Sequence, residues 1–167
     1  MQIALCDDEI TNHEKTRELI RQYKQIHSDR TLSLSSFASG KELINHVDEH
    51  GGFDLYILDC IMPEMNGIEL GAALRMRDDT GFLIYLTTSP DFALDSYRVD
   101  AFDYLLKPFE EQGLKDILTR FVKQVEAGQR VSLPVGSPVH TGQTFIVFTP
   151  TNDMRALRPA EIGFFRY

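Results

Sequence analysis

The side chains with the most chemical capacity in this sequence are the carboxylates of Asp7, Asp8 and Asp59, the hydroxyl of Thr87 and the amine of Lys107. They follow short strand-like runs: Ile3-Ala4-Leu5-Cys6 before the first pair, Leu55-Tyr56-Ile57-Leu58 before Asp59, Phe82 to Leu86 before Thr87, and Phe102 to Leu106 before Lys107. A lone acid at a strand end is most often solvated or caps a turn; the recurrence of polar groups at successive strand ends is what points to a site. Carboxylates gathered at one point repel one another unless a cation lies among them. Hard oxygen ligands suit Mg²⁺, which keeps some of its waters. A carboxylate beside that cation can attack phosphorus to give a mixed acyl phosphate, while an amine and a hydroxyl stabilise charge on the transferred oxygens. The chemistry implied is phosphoryl transfer.

That chemistry requires elements that bring all five groups to one place. Gln2 to Cys6 reads as a strand, and residues 11–27 as a helix with Leu19, Ile20, Tyr23 and Ile26 along one side. Thr31 to Phe37 alternates polar and apolar, which predicts an outer strand. Ser39 with Glu42 three residues on is a capping-box signature, and the helix it opens carries Leu43, Ile44 and Val47 before stopping at Gly51-Gly52. The run Asp54 to Cys60 reads as a buried parallel strand, and the turn residues Met62-Pro63-Glu64-Met65-Asn66 lead to a third helix from Gly67. Phe82 to Leu86 is a continuous apolar strand. Pro90 suits the first turn of a helix reaching about Val99. Phe102 to Leu106 is a short last strand, and a helix runs from about Glu111 to Val125. Strand and helix alternate five times, the pattern of a doubly wound α/β domain with a parallel sheet. Right-handed crossovers place every strand's carboxyl end on one edge, so the five groups share that edge. Neither G-x-G-x-x-G nor a P-loop is present.

The composition fits this reading. Of 167 residues, 43% are hydrophobic and 25% charged, as in ordinary globular proteins. The net charge of −8 argues against a nucleic-acid coat. From Glu126 onward four Arg face three acids, so the negative charge is concentrated in the preceding residues, where a cation site could use it. Two cysteines, Cys6 and Cys60, are too few for a disulfide framework and suit a reducing compartment. They flank site residues on strands the fold makes neighbours; a redox pair is conceivable, and inert packing is the commoner use. His13, His27, His46, His50 and His140 show no metal-ligand spacing with them. Met1 leads directly into a strand-like run, and no apolar stretch approaches the roughly 20 residues of a membrane span. The expectation is a cytoplasmic protein with no membrane contact.

The ordered motifs Asp7-Asp8, Asp59-x-x-Met62-Pro63-x-Met65-Asn66-Gly67, Thr87 and Asp103-Tyr104-Leu105-Leu106-Lys107-Pro108-Phe109 resemble the receiver domain of two-component response regulators over residues 1–126. The resemblance implies a flavodoxin-like (βα)₅ fold with a five-stranded parallel sheet. It implies Asp59 as phosphoacceptor, with Mg²⁺ held by Asp7, Asp8, Asp59 and the backbone carbonyl of Ile61. It implies Lys107 as the contact to the phosphoryl group, a cis Lys107–Pro108 bond, and Thr87 and Tyr104 as a switch pair. In that family the donor is a sensor histidine kinase. The phosphoryl group draws Thr87 inward, Tyr104 rotates into the vacated space, and the helix 4–strand 5–helix 5 face changes partners or forms a homodimer.

The rest of the chain has a different texture. Residues 127–144 have linker composition, with one extended piece expected at Arg130 to Val135. Phe145 to Thr149 reads as a strand, and Met154 to Arg158 as its hairpin partner. Residues 145–167, with Glu161-Ile162-x-Phe164-Phe165, resemble the opening of a LytTR-type DNA-binding domain, here a hairpin-like remnant. Contact with DNA is expected only if that output domain is complete; in a partial one, Arg155, Arg158 and Arg166 read as solvated charges. The rival from another class is a stand-alone receiver acting through protein contacts alone. An aspartyl phosphatase is a third reading, against which Ile61 stands two residues after Asp59, where such enzymes want a second acid.

Overall fold

The structure, a computed structural model, describes residues 1–27, 31–77, 80–128, 139–141, 144–148 and 154–157, the last three segments as backbone. Strand and helix alternate as expected: β1 (Gln2–Cys6), α1 (Ile10–Ile26), β2 (Ser33–Phe37), α2 (Gly40–His50), β3 (Leu55–Leu58), α3 (Gly67–Arg75), β4 (Phe82–Thr87), α4 (Ala93–Arg98), β5 (Asp103–Leu106) and α5 (Glu111–Glu126). These five strands pair in parallel in the order β2-β1-β3-β4-β5. The order reverses between β1 and β3, and a doubly wound sheet opens its crevice at that reversal. Asp7 and Asp59 directly follow these two strands.

Side-chain alternation divides the core between the two faces of the sheet. Tyr56 and Leu58 of β3, Leu83 and Tyr85 of β4 and Tyr104 of β5 pack with Leu43, Val47, Leu70 and Leu74 of α2 and α3. Leu55, Ile57, Ile84 and Leu105 point the other way, onto Leu19, Ile20, Leu114 and Phe121 of α1 and α5. Tyr23 and Thr119 join those two helices through their hydroxyls at 3.2 Å. Among the described residues no helix is long and apolar enough to cross a membrane.

Caps fix the helix starts. Ser39 Oγ accepts the Glu42 N–H at 3.2 Å, but the Glu42 carboxylate takes the N–H of Ala38, not of Ser39, so the expected box closes one residue further out. A full capping box forms instead at α3, where Asn66 and Glu69 bond each other's backbone N–H at 2.9 and 3.0 Å. Gly67 admits α3 so close to the preceding loop that a Cβ would collide with the Asp59 carbonyl and the Cys60 Cα. One turn on, Gly71 leaves room for the Tyr85 hydroxyl, which donates to the Gly67 carbonyl at 3.1 Å.

Two elements differ from expectation. The helix expected from Pro90 to Val99 is shorter, Ala93–Arg98, because Ser89 Oγ accepts the Asp91 N–H at 3.1 Å and holds residues 89–91 in a turn. Arg75 then bonds the carbonyls of Val99 and Asp100, each at 2.9 Å, and that of Gly81 at 2.5 Å, fastening the far end of this short helix to α3. The sheet also continues beyond β5. Within the expected linker, β6 (Val139–Thr141) pairs in parallel with β5, and β7 (Thr144–Phe148) and β8 (Met154–Leu157) follow as an antiparallel hairpin. The extended piece expected at 130–135, and residues 158–167, lie outside the described residues.

Candidate functional site

The parity of the strands sorts the polar groups before any of them meet. Asp7 continues the alternation of Ile3 and Leu5, Asp59 that of Leu55 and Ile57, and Lys107 that of Leu105, so all three fall to the α1/α5 side. Cys6, Cys60 and Tyr104 belong to the other face, and Thr87 continues the parity of Leu83 and Tyr85 on that same face. Acids and amine gather on one side of the sheet edge; thiols, hydroxyl and phenol gather on the other.

On the acid side, the Lys107 ammonium donates to Asp7 Oδ2 at 2.6 Å and to Asp59 Oδ2 at 2.8 Å. Asp7 and Asp59 are only 3% and 7% exposed. The Lys107 backbone N–H is tied to the Thr87 carbonyl at 2.7 Å, which anchors the residue at the strand end; the Lys107–Pro108 bond is cis, as expected. The remaining carboxylate oxygens take loop amides: Asp7 Oδ1 accepts the Glu9 N–H at 2.9 Å, and Asp59 Oδ1 accepts the Ile61 N–H at 3.0 Å. Burial by itself lowers the basicity of the Lys107 amine. The hydrogen bonds and negative charges of Asp59 and Asp7 outweigh it, and the pKa ends above the usual lysine value. Asp8 is exposed at the rim.

Two buried carboxylates share one ammonium, so one negative charge is left over, with a third carboxylate next in the chain. Among the described residues no three acidic, imidazole or thiol side chains converge into a ready metal cage. The donors are hard oxygens at a crevice that opens to solvent through Asp8, which is what a magnesium ion that keeps some of its waters requires. The residues therefore fit Mg²⁺ chemically. Beside Lys107 a groove of about 210 Å³ opens between α1 and the β5–α5 loop, lined by Glu9, Asn12, Lys15, Thr88 and Phe109. The Lys15 amine stands 5.1 Å over the Phe109 ring.

On the opposite face, Thr87 is fully buried and its hydroxyl has no hydrogen-bond partner of good geometry among the described residues. Tyr104 is also fully buried; its hydroxyl donates to the Ser89 carbonyl at 2.6 Å and lies 3.9 Å from the Cys60 thiol. Burial, with the Cys60 thiol adding to it, pushes the Tyr104 pKa well above the usual phenol value. Burial first and the Asp7 charge second push the Cys6 thiol up to about 12. Burial pushes Cys60 to about 12 as well, against smaller opposing effects of Tyr104 and Thr87. Both thiols are protonated at neutral pH, and their hydrogen-bond partners differ: Cys6 meets the Met62 sulfur at 3.7 Å and Cys60 meets Tyr104. This is packing chemistry, not that of a reactive redox pair.

The structure thus brings Asp7, Asp59 and Lys107 into direct contact, leaves Asp8 at the rim and places Thr87 and Tyr104 behind the sheet edge. The link from Cys60 to Tyr104 and Ser89 is absent from the sequence reading. Counting strand parity across β3 and β5 is the one signal that could have found it.

The chain matches the response regulator receiver domain model over residues 3–119. It is 22% identical over 161 residues to the transcriptional regulatory protein YpdB of Escherichia coli (strain K12), covering 92% of this chain and 64% of that protein. It is 30% identical over 131 residues to the sensory transduction protein LytT of Enterococcus faecalis (strain ATCC 700802 / V583), covering 78% of this chain and 51% of that one. The chain therefore spans less than two thirds of the length of these curated relatives. Its fold is that of the response regulatory domain of protein mrkE from Klebsiella pneumoniae, with a TM-score of 0.68 at 22% identity, over 76% of this chain and 99% of that one.

Proposed function

Because this chain belongs to the response regulator receiver domain family, we propose that it is a switch phosphorylated on Asp59 by a sensor histidine kinase. The observation that carries the reading is the Lys107 ammonium bridging Asp59 and Asp7 at 2.8 and 2.6 Å in a crevice at the strand-order reversal. In the transfer, an Asp59 oxygen forms its bond to phosphorus as the phosphohistidine P–N bond breaks, and the electron pair leaves with the imidazole nitrogen. Lys107 holds the Asp59 carboxylate before transfer and neutralises a phosphoryl oxygen after it. Asp7, Asp8, Asp59 and the Ile61 carbonyl are the residues that would hold Mg²⁺, which supplies charge neutralisation at the transferred oxygens. Thr87 supports the switch role, since a buried hydroxyl without a partner is a donor in want of an acceptor, and a phosphoryl oxygen would provide one. Tyr104 is its partner across the same face.

For output, the reading is a cytoplasmic LytTR-type transcriptional regulator, with a receiver at 1–126, a linker at 127–144 and the opening of the DNA-binding domain at 145–167. The names of the LytT and YpdB relatives and the β7–β8 hairpin support it. The helix 4–strand 5–helix 5 face would serve a homodimer. A receiver acting through protein contacts alone is the alternative, and sequence-selective DNA binding that survives added salt would decide against it. For the phosphoacceptor, the test is incubation with an acyl-phosphate donor and Mg²⁺. The wild-type protein is expected to acquire an acid-stable, hydroxylamine-labile label, and Asp59→Ala none. Equal labelling of Asp59→Ala would remove Asp59 from the mechanism.

A further inference from the structure

The acids and the aromatic switch lie on opposite faces of the sheet, so an event at Asp59 must cross the sheet edge to be felt at Tyr104. Cys60 is the residue at which the chain crosses. It follows Asp59 with opposite parity, is fully buried, and directs its thiol at the Tyr104 hydroxyl at 3.9 Å. Its backbone has nowhere to go: its carbonyl accepts the Gly67 N–H at 3.0 Å, and Gly67 packs directly on its Cα.

The phenol has one proton, which it donates to the Ser89 carbonyl at 2.6 Å. It can therefore meet Cys60 only as an acceptor, so position 60 must supply a donor. It must also be small. Tyr104 is fully buried alongside Tyr85, with ring centroids 6.0 Å apart, in a core where added methylene groups force neighbours out of place. A thiol satisfies both demands.

We propose that Cys60 is the positioning residue that holds Tyr104 in its buried pose, so that the aromatic residue of the α4–β5 side is kept turned inward. The consequence for the switch rests on the phosphorylation reading above; the placement of Tyr104 by Cys60 does not.

The experiment is fluorine NMR of the whole chain labelled with 3-fluorotyrosine, with the Tyr104 resonance assigned by Tyr104→Phe and its solvent access read with a soluble paramagnet. Unphosphorylated wild type is expected to show Tyr104 shielded. Cys60→Ser keeps both size and donor and is expected to retain the shielding. Cys60→Ala keeps the space but loses the donor, and the exposed rotamer is expected to rise roughly two- to fivefold, as for one weak hydrogen bond. Cys60→Leu is expected to lose the shielded resonance altogether. A Tyr104 exposed in the wild type, or equal shielding in the serine, alanine and leucine variants, would overturn the proposal. If Cys60→Leu does not fold, the serine–alanine comparison decides alone. Labelling of Asp59 by an acyl phosphate is measured in parallel: its absence from the wild type would sink the phosphorylation reading and leave the Tyr104 result standing.

Discussion

Lys107 sets the electrostatic balance of the crevice, because it is the cation between two carboxylates that are both nearly out of solvent. Its removal leaves Asp7 and Asp59 facing each other without compensation. Lys107→Ala is expected to lower stability by about 3 kcal/mol, the lower end for a broken buried pair, since the crevice has an open rim. The pH dependence has a definite sign. A lysine whose folded pKa is raised contributes stability that is fully present below its unfolded value of about 10.4 and is lost as pH rises through the folded value. The stability gap between wild type and Lys107→Ala should thus be flat through neutral pH and close in strong alkali, as read from denaturant midpoints at successive pH values. The same variant should still bind Mg²⁺ through its carboxylates but lose the conformational response to phosphorylation. A normal response would show that Lys107 serves stability alone.

At the scale of elements, the turn between β3 and α3 is as constrained as the site it carries. Gly67→Ala places a methyl group against the Asp59 carbonyl and the Cys60 Cα, both of them backbone that cannot rotate aside. A loss of about 2–4 kcal/mol is expected from the overpacking, together with slower Asp59 labelling. A stability within experimental error of wild type would mean that α3 can shift away from the loop. Arg75 has the complementary role at the far end of α4, where its three hydrogen bonds to carbonyls hold a loop containing Asp100 at φ 57°. Arg75→Met should cost about 2–3 kcal/mol, near 1 kcal/mol for each bond, while leaving Asp59 labelling intact. A parallel loss of labelling would place the clamp in the route to the crevice.

For the whole molecule, the two core layers close over the five-stranded sheet using residues from β1 to α5. A chain ending at Gly128 is accordingly expected to fold cooperatively and to accept a phosphoryl group on Asp59, with matching melts by circular dichroism and by tyrosine fluorescence. Failure to fold would mean that β6 is needed to cover β5. Much of this architecture was legible in the sequence, because buried parallel strands are continuous apolar runs and their ends are marked by Asp7, Asp59, Thr87 and Lys107. The length of α4 was not, because a Ser89 side-chain turn displaced the start that Pro90 favoured. The Arg75 bonds to Val99 and Asp100 and the Cys60–Tyr104 contact join residues 24 to 44 apart in sequence, and no local periodicity encodes such pairings. The unequal roles of Asp7 and Asp8, adjacent in sequence, follow from parity at the end of β1: one side chain turns in and its neighbour turns out.

The Tyr85 hydroxyl wedged between Gly67 and Gly71 makes α3 and the central strands behave as the stator of a small machine. A strain raised at Asp59 finds no compliance on that side, where backbone meets backbone and a phenol fills the gap. The other side of the edge is built differently, from the six-residue α4 and the turn before it, which holds the Ser89 carbonyl that Tyr104 grips. On the proposed switch reading, a displacement begun at Asp59 is expected to be taken up towards α4, because the seat of α3 is closed.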